Sequence, residues 1–397
     1  MPTACPAPTP RLMQAVDELI DAGQLTAPCA AVDIAAFDHN AARMKARSLG
    51  LPIRVASKSL RSTHALRRAL DHVGFQGILS YSLPEAINLV RVGFGDILVA
   101  YPSVNKLALR ELGADDQLLK NITVMVDDPA HLDLICENTS KPVRVAIDID
   151  CTLKLPGTAI GPRRSPIRTP EQTADFARHI VRRGKLRLVG MMGYEGQVAS
   201  VADAETGING AVKRWIRKTS MAELVPRRAA CVAAAREVAD LEFVNGGGTG
   251  SLGVSALDDS LTELSAGSGF YTPVIFDNFS DIDHVPAAFF ACQVSRRPAP
   301  GWATVNSGGW IASGPPAKDR LPLPVYPEGL RFSATEGPGE VQTPLHGAKN
   351  LDIGDLVWFR HAKAGEMMEH VDKLVAVDAE GNHEYWDTYR GKGWTLR

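Results

Sequence analysis

The sequence predicts an α/β protein: a (β/α)8 barrel followed by a β-rich domain. Three observations predict it. Eight short apolar runs, each bounded by glycine or polar residues, recur between residues 54 and 269. Helical patterns lie between them, and such alternation implies parallel strands joined by right-handed crossovers. After Phe279 prolines multiply and helical periodicity is lost. A doubly wound open sheet would show the same local alternation; the count of eight is what favours a closed barrel.

In chain order, a proline-rich start leads into an amphipathic helix at 11–22, a strand at 30–37 (AAVDIAAF) and a helix at 40–49. The barrel strands follow as RVASK (54–58), GILSYS (77–82), DILVAYP (96–102), ITVMVDD (122–128), VRVAIDID (143–150), LRLVGMMGYE (186–195), LEFVNGGG (241–248) and LTELSAGSG (261–269). Helical patterns at 64–72, 84–92, 106–112, 130–138, 169–183 and 221–239 fill the intervals. Short strands at ATVNSG, DLVWFRH and KLVAVD belong to the second domain. The expected division is a tail and helix over 1–29, a barrel over 30–279 and a β-rich domain over 280–397. The leading strand 30–37 is open to joining that second domain.

Composition narrows the function classes. Of 397 residues, 45% are hydrophobic and 22% charged, the balance of a globular chain with a sizeable core. Lysine plus arginine (43) nearly cancel aspartate plus glutamate (45), so the basic excess that a phosphate backbone attracts is missing and nucleic acid is not an expected partner. The six cysteines form no CxxC pair, which points to reduced, mostly buried thiols and a cytoplasmic protein. Neither a secretory h-region nor an apolar run long enough to span a bilayer occurs, so no membrane partner is expected.

Chemistry in such a barrel sits at the C-terminal ends of the strands. Lys58 ends the first barrel strand, flanked by small Ala56, Ser57 and Ser59. A lysine there either points into the barrel mouth, where an amine forms an imine with a carbonyl group, or is a surface lysine at a strand end. After the seventh strand comes NGGGTGSLG (245–253), in which Gly248, Gly250 and Gly253 satisfy GxGxxG. A dinucleotide loop would open a βαβ unit and carry an acid about twenty residues on, and Glu263 comes too soon. The loop after strand seven of a barrel is instead a common phosphate seat, held by backbone amides, although a plain tight turn also uses glycine. Asp148 and Asp150 read either as an acid/base pair or as solvated strand-end acids, with the second favoured. Arg163 and Arg164, with Arg168 behind them, either grip a carboxylate or coat a loop.

An amine on one strand and a phosphate cradle on another are jointly what pyridoxal 5′-phosphate requires. The segments RVASKSLRSTHAL, GILSYSLPEA, GDILVAYP, MGYEGQV and VNGGGTGS resemble, in order over about 240 residues, the fold-type III pyridoxal phosphate enzymes. Within them the chain is most similar to the group of D-threonine aldolase, D-serine dehydratase and 3-hydroxy-D-aspartate enzymes. SGGWIASGPP, EGPGEVQTPL and FRHAKAGE further resemble bacterial amino acid deaminase/aldolase proteins. The resemblance implies that Lys58 is the Schiff-base lysine, that Gly247, Gly248, Thr249 and Gly250 hold the phosphate, and that Tyr194 lies near the cofactor ring.

The candidate catalytic residues beside Lys58 are His361 and Lys363, and the candidate substrate contacts are Arg163, Arg164 and Glu336. Members of the group carry a divalent metal on a His-x-Cys or His-x-Asp pair after a GD-containing strand. Here GDLVWFRHAKAGE keeps His361 as the metal candidate but puts Lys363 where the second ligand belongs, and an ammonium is no ligand. His370 and Asp372 have ligand types at the right spacing but stand nine residues late, and read as a surface pair.

The expected activity is a pyridoxal phosphate-dependent lyase, an aldolase or a dehydratase/deaminase, acting on a small β-hydroxy amino acid of D configuration. An amino acid racemase, with a second base among Tyr326, Tyr385 and Tyr389, and a non-catalytic cofactor carrier are the alternatives. The resemblance also implies a homodimer.

Overall fold

A computed structural model describes residues 6–394. After the helix α1 (Pro10–Asp21), the strand β1 is Cys29–Asp33 and the helix α2 is Ile34–Arg47. The stretch read as one strand over 30–37 therefore breaks at Asp33, whose carboxylate accepts from the Ala36 N–H and caps α2. Arg11 and Thr9 bind the same carboxylate, tying α1 to the start of α2.

The barrel opens with β2 (Ile53–Ala56), α3 (Thr63–Asp71), β3 (Phe75–Ser80), α4 (Leu83–Arg91) and β4 (Ile97–Val99). It continues through α5 (Lys106–Ala114), α6 (Asp116–Asn121), β5 (Ile122–Val126), α7 (Pro129–Asn138) and β6 (Val143–Asp148). A hairpin, β7 (Leu153–Leu155) and β8 (Thr158–Ile160), turns at Gly157 and has no counterpart in the sequence reading. Then come α8 (Pro170–Arg182), β9 (Leu186–Gly193), α9 (Gly196–Ala199), α10 (Gly207–Arg236), β10 (Phe243–Gly246), α11 (Leu252–Ser255) and β11 (Glu263–Ala266). α10 starts well before the expected residue 221, because the polar segment 207–220 continues the same helix.

Strands β2, β3, β4, β5, β6, β9, β10 and β11 close into a parallel barrel, and each coincides with one of the eight expected runs, β2 and β3 starting one and two residues before theirs. Alternation along a strand separates two cores. On β6, Val143, Val145 and Ile147 pack outward into the main hydrophobic core, while Ala146 joins Leu98, Met125, Met192 and Phe243 in a small inner cluster. Below that cluster Arg54 and Glu263 form a buried pair, with Arg54 Nε 2.7 Å from Glu263 Oε1, and Asn245 donates to the same oxygen at 2.8 Å.

The remaining strands are β12 (Ala288–Arg296), β13 (Gly301–Asn306), β14 (Leu323–Tyr326), β15 (Arg331–Phe332), β16 (Gln342–Ala348), β17 (Leu356–Arg360), β18 (Lys373–Val377) and β19 (His383–Asp387). They form a nine-stranded sheet in the order β15-β16-β13-β12-β1-β18-β19, with β17 pairing β12 and β14. β1 runs antiparallel to β12 and parallel to β18, so an N-terminal strand sits inside a C-terminal sheet. Between β17 and β18 the segment Glu366–Glu369 forms a single 3-10 turn. Phe37 of α2 joins the two bodies, stacking on Phe270 at 4.7 Å and edge-on to Trp386 at 5.9 Å.

Candidate active site

The loops at the C-terminal ends of the barrel strands surround a cavity of about 200 Å³. Lys58 reaches it from a 3-10 turn, Ser57–Ser59, directly after β2. Gly247, Gly248, Thr249 and Gly250 line the same cavity from the turn after β10, together with Gly267 and Ser268 after β11. The sequence places these groups nearly two hundred residues apart; barrel closure puts β2 next to β11 and β11 next to β10.

The glycines of the loop are needed for close approach. Gly247 has φ +83°, and a Cβ at position 248 or 250 would lie 2.9 Å from Ala199 Cβ or 2.2 Å from the Ala199 carbonyl oxygen. The loop is fastened from beneath by Glu195, fully buried, which accepts from the Gly247 N–H at 3.2 Å and from the Ser255 hydroxyl. Buried Arg228 bridges Glu195 to Asp258, 2.8 Å away. Thr249 accepts from the Gly269 N–H at 3.1 Å, and Arg47 donates to the Thr249 carbonyl at 2.9 Å. Arg228 and Arg47 come from helices with no sequence signal pointing at the loop.

Tyr194 lines the cavity beside this loop, its hydroxyl 2.8 Å from Ser200 Oγ. Burial raises its phenol pKa, so it stays protonated. The Arg164 guanidinium stands over the rings of Tyr101 and Tyr194, at 5.2 and 4.6 Å from their centroids. That sandwich holds an otherwise exposed arginine at the cavity wall. Arg163, beside it, does not line the cavity, and Arg168 is spent on Asp150 and Glu223, each at 2.9 Å.

The two acids at the end of β6 are buried rather than solvated. Asp150 is the partner of Arg168, whereas burial pushes Asp148 up to about 7, with Arg164 opposing and Asp127 adding to the rise. Neither lines the cavity.

Lys363 lines the cavity, but His361 does not. β17 stops at Arg360 and the chain bends at 362–363, which ends the alternation that would have kept the two side chains on one face. The His361 ring is sealed in the interior against the Ala288 backbone without a well-formed hydrogen bond, and burial lowers its pKa to about 3. It is a neutral imidazole. Glu336 is exposed on the turn between β15 and β16 and lies away from the cavity. Among the described residues no group of three or more His, Cys, Asp or Glu side chains could hold a metal ion.

The charged side chains around the cavity are thus Lys58, Arg164 and Lys363, with no carboxylate among the described lining residues. Such a wall attracts anions. A phosphate suits the glycine loop, an aldehyde suits the Lys58 amine, and the space between them is bordered by Tyr194, Met192 and Ser265. These residues fit pyridoxal phosphate.

Residues 32–239 match the family described as alanine racemase, N-terminal domain. The 3-hydroxy-D-aspartate aldolase of Paracoccus denitrificans (strain Pd 1222) is 23% identical over 303 residues, covering 73% of each chain. The D-threonine aldolase of Filomicrobium marinum shares the fold at a TM-score of 0.78 and 21% identity, over 94% of this chain and 97% of that one. The D-threo-3-hydroxyaspartate dehydratase of Delftia sp. HT23 does so at 0.69 and 20%, over 92% and 97%.

Proposed function

This chain belongs to the alanine racemase N-terminal domain family, and from that premise we propose that it is a pyridoxal phosphate-dependent lyase acting on a small β-hydroxy amino acid of D configuration. The observation that carries this reading is the single cavity shared by the Lys58 amine and the glycine loop 247–250. The names of its relatives, two aldolases and a dehydratase, support cleavage of the Cα–Cβ bond or elimination at Cβ.

When bound, the cofactor supplies an electron sink conjugated to the substrate's Cα. The chain's own residues do the rest. The Gly247 and Gly248 amides are taken by Glu195 and Ser251, so the backbone amides of Thr249 and Gly250 would hold the phosphate, and the buried Glu195–Arg228–Asp258 chain keeps that loop rigid. The Lys58 amine would hold the cofactor's carbonyl group and would move the proton at the substrate's Cα. Arg164, braced by Tyr101 and Tyr194, takes the substrate carboxylate through paired N–H groups. A divalent ion does not fit, since Lys363 stands at the cavity wall and His361 behind it.

The racemase alternative has less support. The cavity's tyrosines, Tyr81, Tyr101 and Tyr194, all come from the barrel, Tyr389 is buried beside Glu85, and Tyr326 is exposed on β14. A carrier is disfavoured because the second domain reaches the cavity through Lys363 and Ala364. A homodimer is the proposed working form, supported by the apolar stripe Ile208, Val212 and Trp215 exposed on α10. No helix among the described residues is long and apolar enough to cross a membrane. The five described cysteines are free thiols, which supports a reducing, cytoplasmic setting; Cys5 lies outside the described residues.

The test is direct. Purified protein should take up pyridoxal phosphate with a visible absorbance, borohydride should fix the cofactor to the Lys58 peptide, and Lys58→Ala should abolish both. A panel of D- and L-β-hydroxy amino acids, assayed for aldehyde, keto acid and enantiomer together, then separates cleavage, elimination and racemisation. Protein that never binds the cofactor would refute the reading.

A further inference from the structure

We infer that Lys363 supplies, as a fixed ammonium, the positive charge that stabilises the oxygen on the substrate's β-carbon, so that the bond changes there proceed without a divalent ion; this inference rests on the lyase reading above.

The loop bearing Lys363 is fixed to the barrel mouth by its backbone. Val274 N–H donates to the His361 carbonyl at 3.1 Å, and Ile275 N–H to the Ala362 carbonyl at 3.2 Å. Gly365 then lies directly on the chain of Lys58: a Cβ there would be 1.9 Å from the Lys58 carbonyl oxygen, and the residue's φ is +89°. The loop therefore cannot drift from Lys58 without breaking these contacts. Lys363 and Ala364 are the cavity's lining from beyond the barrel, so this ammonium is what the second domain brings to the chemistry.

The ammonium is also only weakly held. It donates one long hydrogen bond, 3.5 Å to the Ser313 carbonyl, and among the described residues it makes no ion pair. Burial lowers its pKa, and Arg320 and Lys58 nearby act in the same direction against Glu366. A half-buried ammonium held at a cavity wall stabilises an adjacent anion more strongly than one in water does. Lys58 and Arg164 are the cavity's other charged groups, and on the lyase reading they would be taken up by the cofactor's carbonyl carbon and the substrate carboxylate. Lys363 is left facing the side chain.

The same charge serves either course of reaction. In cleavage, the O–H electron pair becomes the new C=O bond as the Cα–Cβ pair moves to Cα, and the hydroxyl proton ends on Cα. In elimination, Lys58 takes the Cα proton, the Cα–H electron pair becomes the Cα=Cβ bond as the Cβ–O pair leaves with the oxygen, and Lys363 gives that oxygen a proton to form water, the proton held by Lys58 restoring the balance. In both, the β-oxygen carries the developing negative charge.

The experiment compares the pyridoxal phosphate-loaded parent with Lys363→Met and Lys363→Arg, before and after exhaustive EDTA treatment, on the best β-hydroxy substrate. The parent should keep its activity in EDTA. Lys363→Met should lose on the order of 100-fold in kcat with KM little changed, while it still takes up cofactor and still shows the change in visible spectrum on adding substrate. Lys363→Arg should recover part of the rate. Turnover in Lys363→Met equal to the parent, loss of its cofactor uptake, or EDTA inactivation reversed by manganese or zinc would each overturn the inference. If the parent binds no cofactor or turns over no member of the panel, the lyase reading itself fails and takes the inference with it.

Discussion

At the scale of single residues, burial and charge decide what each ionisable group does. Asp148 ends a barrel strand with its carboxyl excluded from water, among Arg164, Asp127 and Asp150, and its pKa rises from 3.8 to about 7. A folded pKa raised above the unfolded value means that the folded state holds the proton more tightly. The associated stability is complete below about 4 and is lost as pH rises through about 7. The effect is on the order of a few kcal/mol. Asp148→Asn should therefore gain stability relative to the parent as pH rises from about 5 to about 8, read by urea melts at the two ends. The same difference at both pH values would show that Asp148 is ionised throughout. Strand position alone makes this residue read as a solvated acid, because spacing along a strand shows which face a side chain shares but not what covers that face.

At the scale of the element, the glycine run after β10 divides into positions that touch something and one that does not. Gly250 packs on the Ala199 carbonyl and the Phe279 ring, whereas a Cβ at Gly253, in α11, would meet nothing within 4 Å. Gly250→Ala should thus destabilise the protein by about 1–3 kcal/mol as well as weaken cofactor binding. Gly253→Ala should leave cofactor affinity unchanged and add up to about 1 kcal/mol of helix propensity. Thermal melts with cofactor titration read both. Comparable losses in the two variants would contradict this division. The GxGxxG match is consequently coincidental at its last glycine, and Glu263, which argued against a dinucleotide site by its spacing, instead neutralises Arg54 on the barrel floor.

At the scale of the whole molecule, barrel and sheet share contacts that sequence-local patterns do not record. Arg61 after β2 binds Glu369 at 2.5 Å, Arg360 of β17 reaches the Thr272 carbonyl at 3.1 Å, and Tyr389 N–H donates to the Arg61 carbonyl at 2.8 Å. With β1 inside the C-terminal sheet, neither body can unfold without exposing the other's core. Five of the six tryptophans, all but Trp215, fall at or beyond residue 302, while apart from α1, which packs on the sheet, the α-helices belong to the barrel. Tryptophan fluorescence and helical circular dichroism therefore report on different bodies. Their denaturant transitions should coincide. A fluorescence transition separated from the helical one would show that the two halves fold independently.

The sequence alone determined the barrel, because strand and helix are written in local periodicity, and eight apolar runs alternating with helices leave few ways to bury their faces. It also marked Lys58 and the glycine loop, whose residue types are unusual at strand ends whatever the distance between them. Only the tertiary structure decided that both line one cavity, that β1 pairs with β12 and β18, and that Arg164 and Lys363 join them while Arg163, Glu336 and His361 do not. The physical reason is that those outcomes depend on closure and on bends. Bringing β11 beside β2 joins segments about two hundred residues apart, and the single turn after Arg360 sends His361 into the core and Lys363 into the cavity.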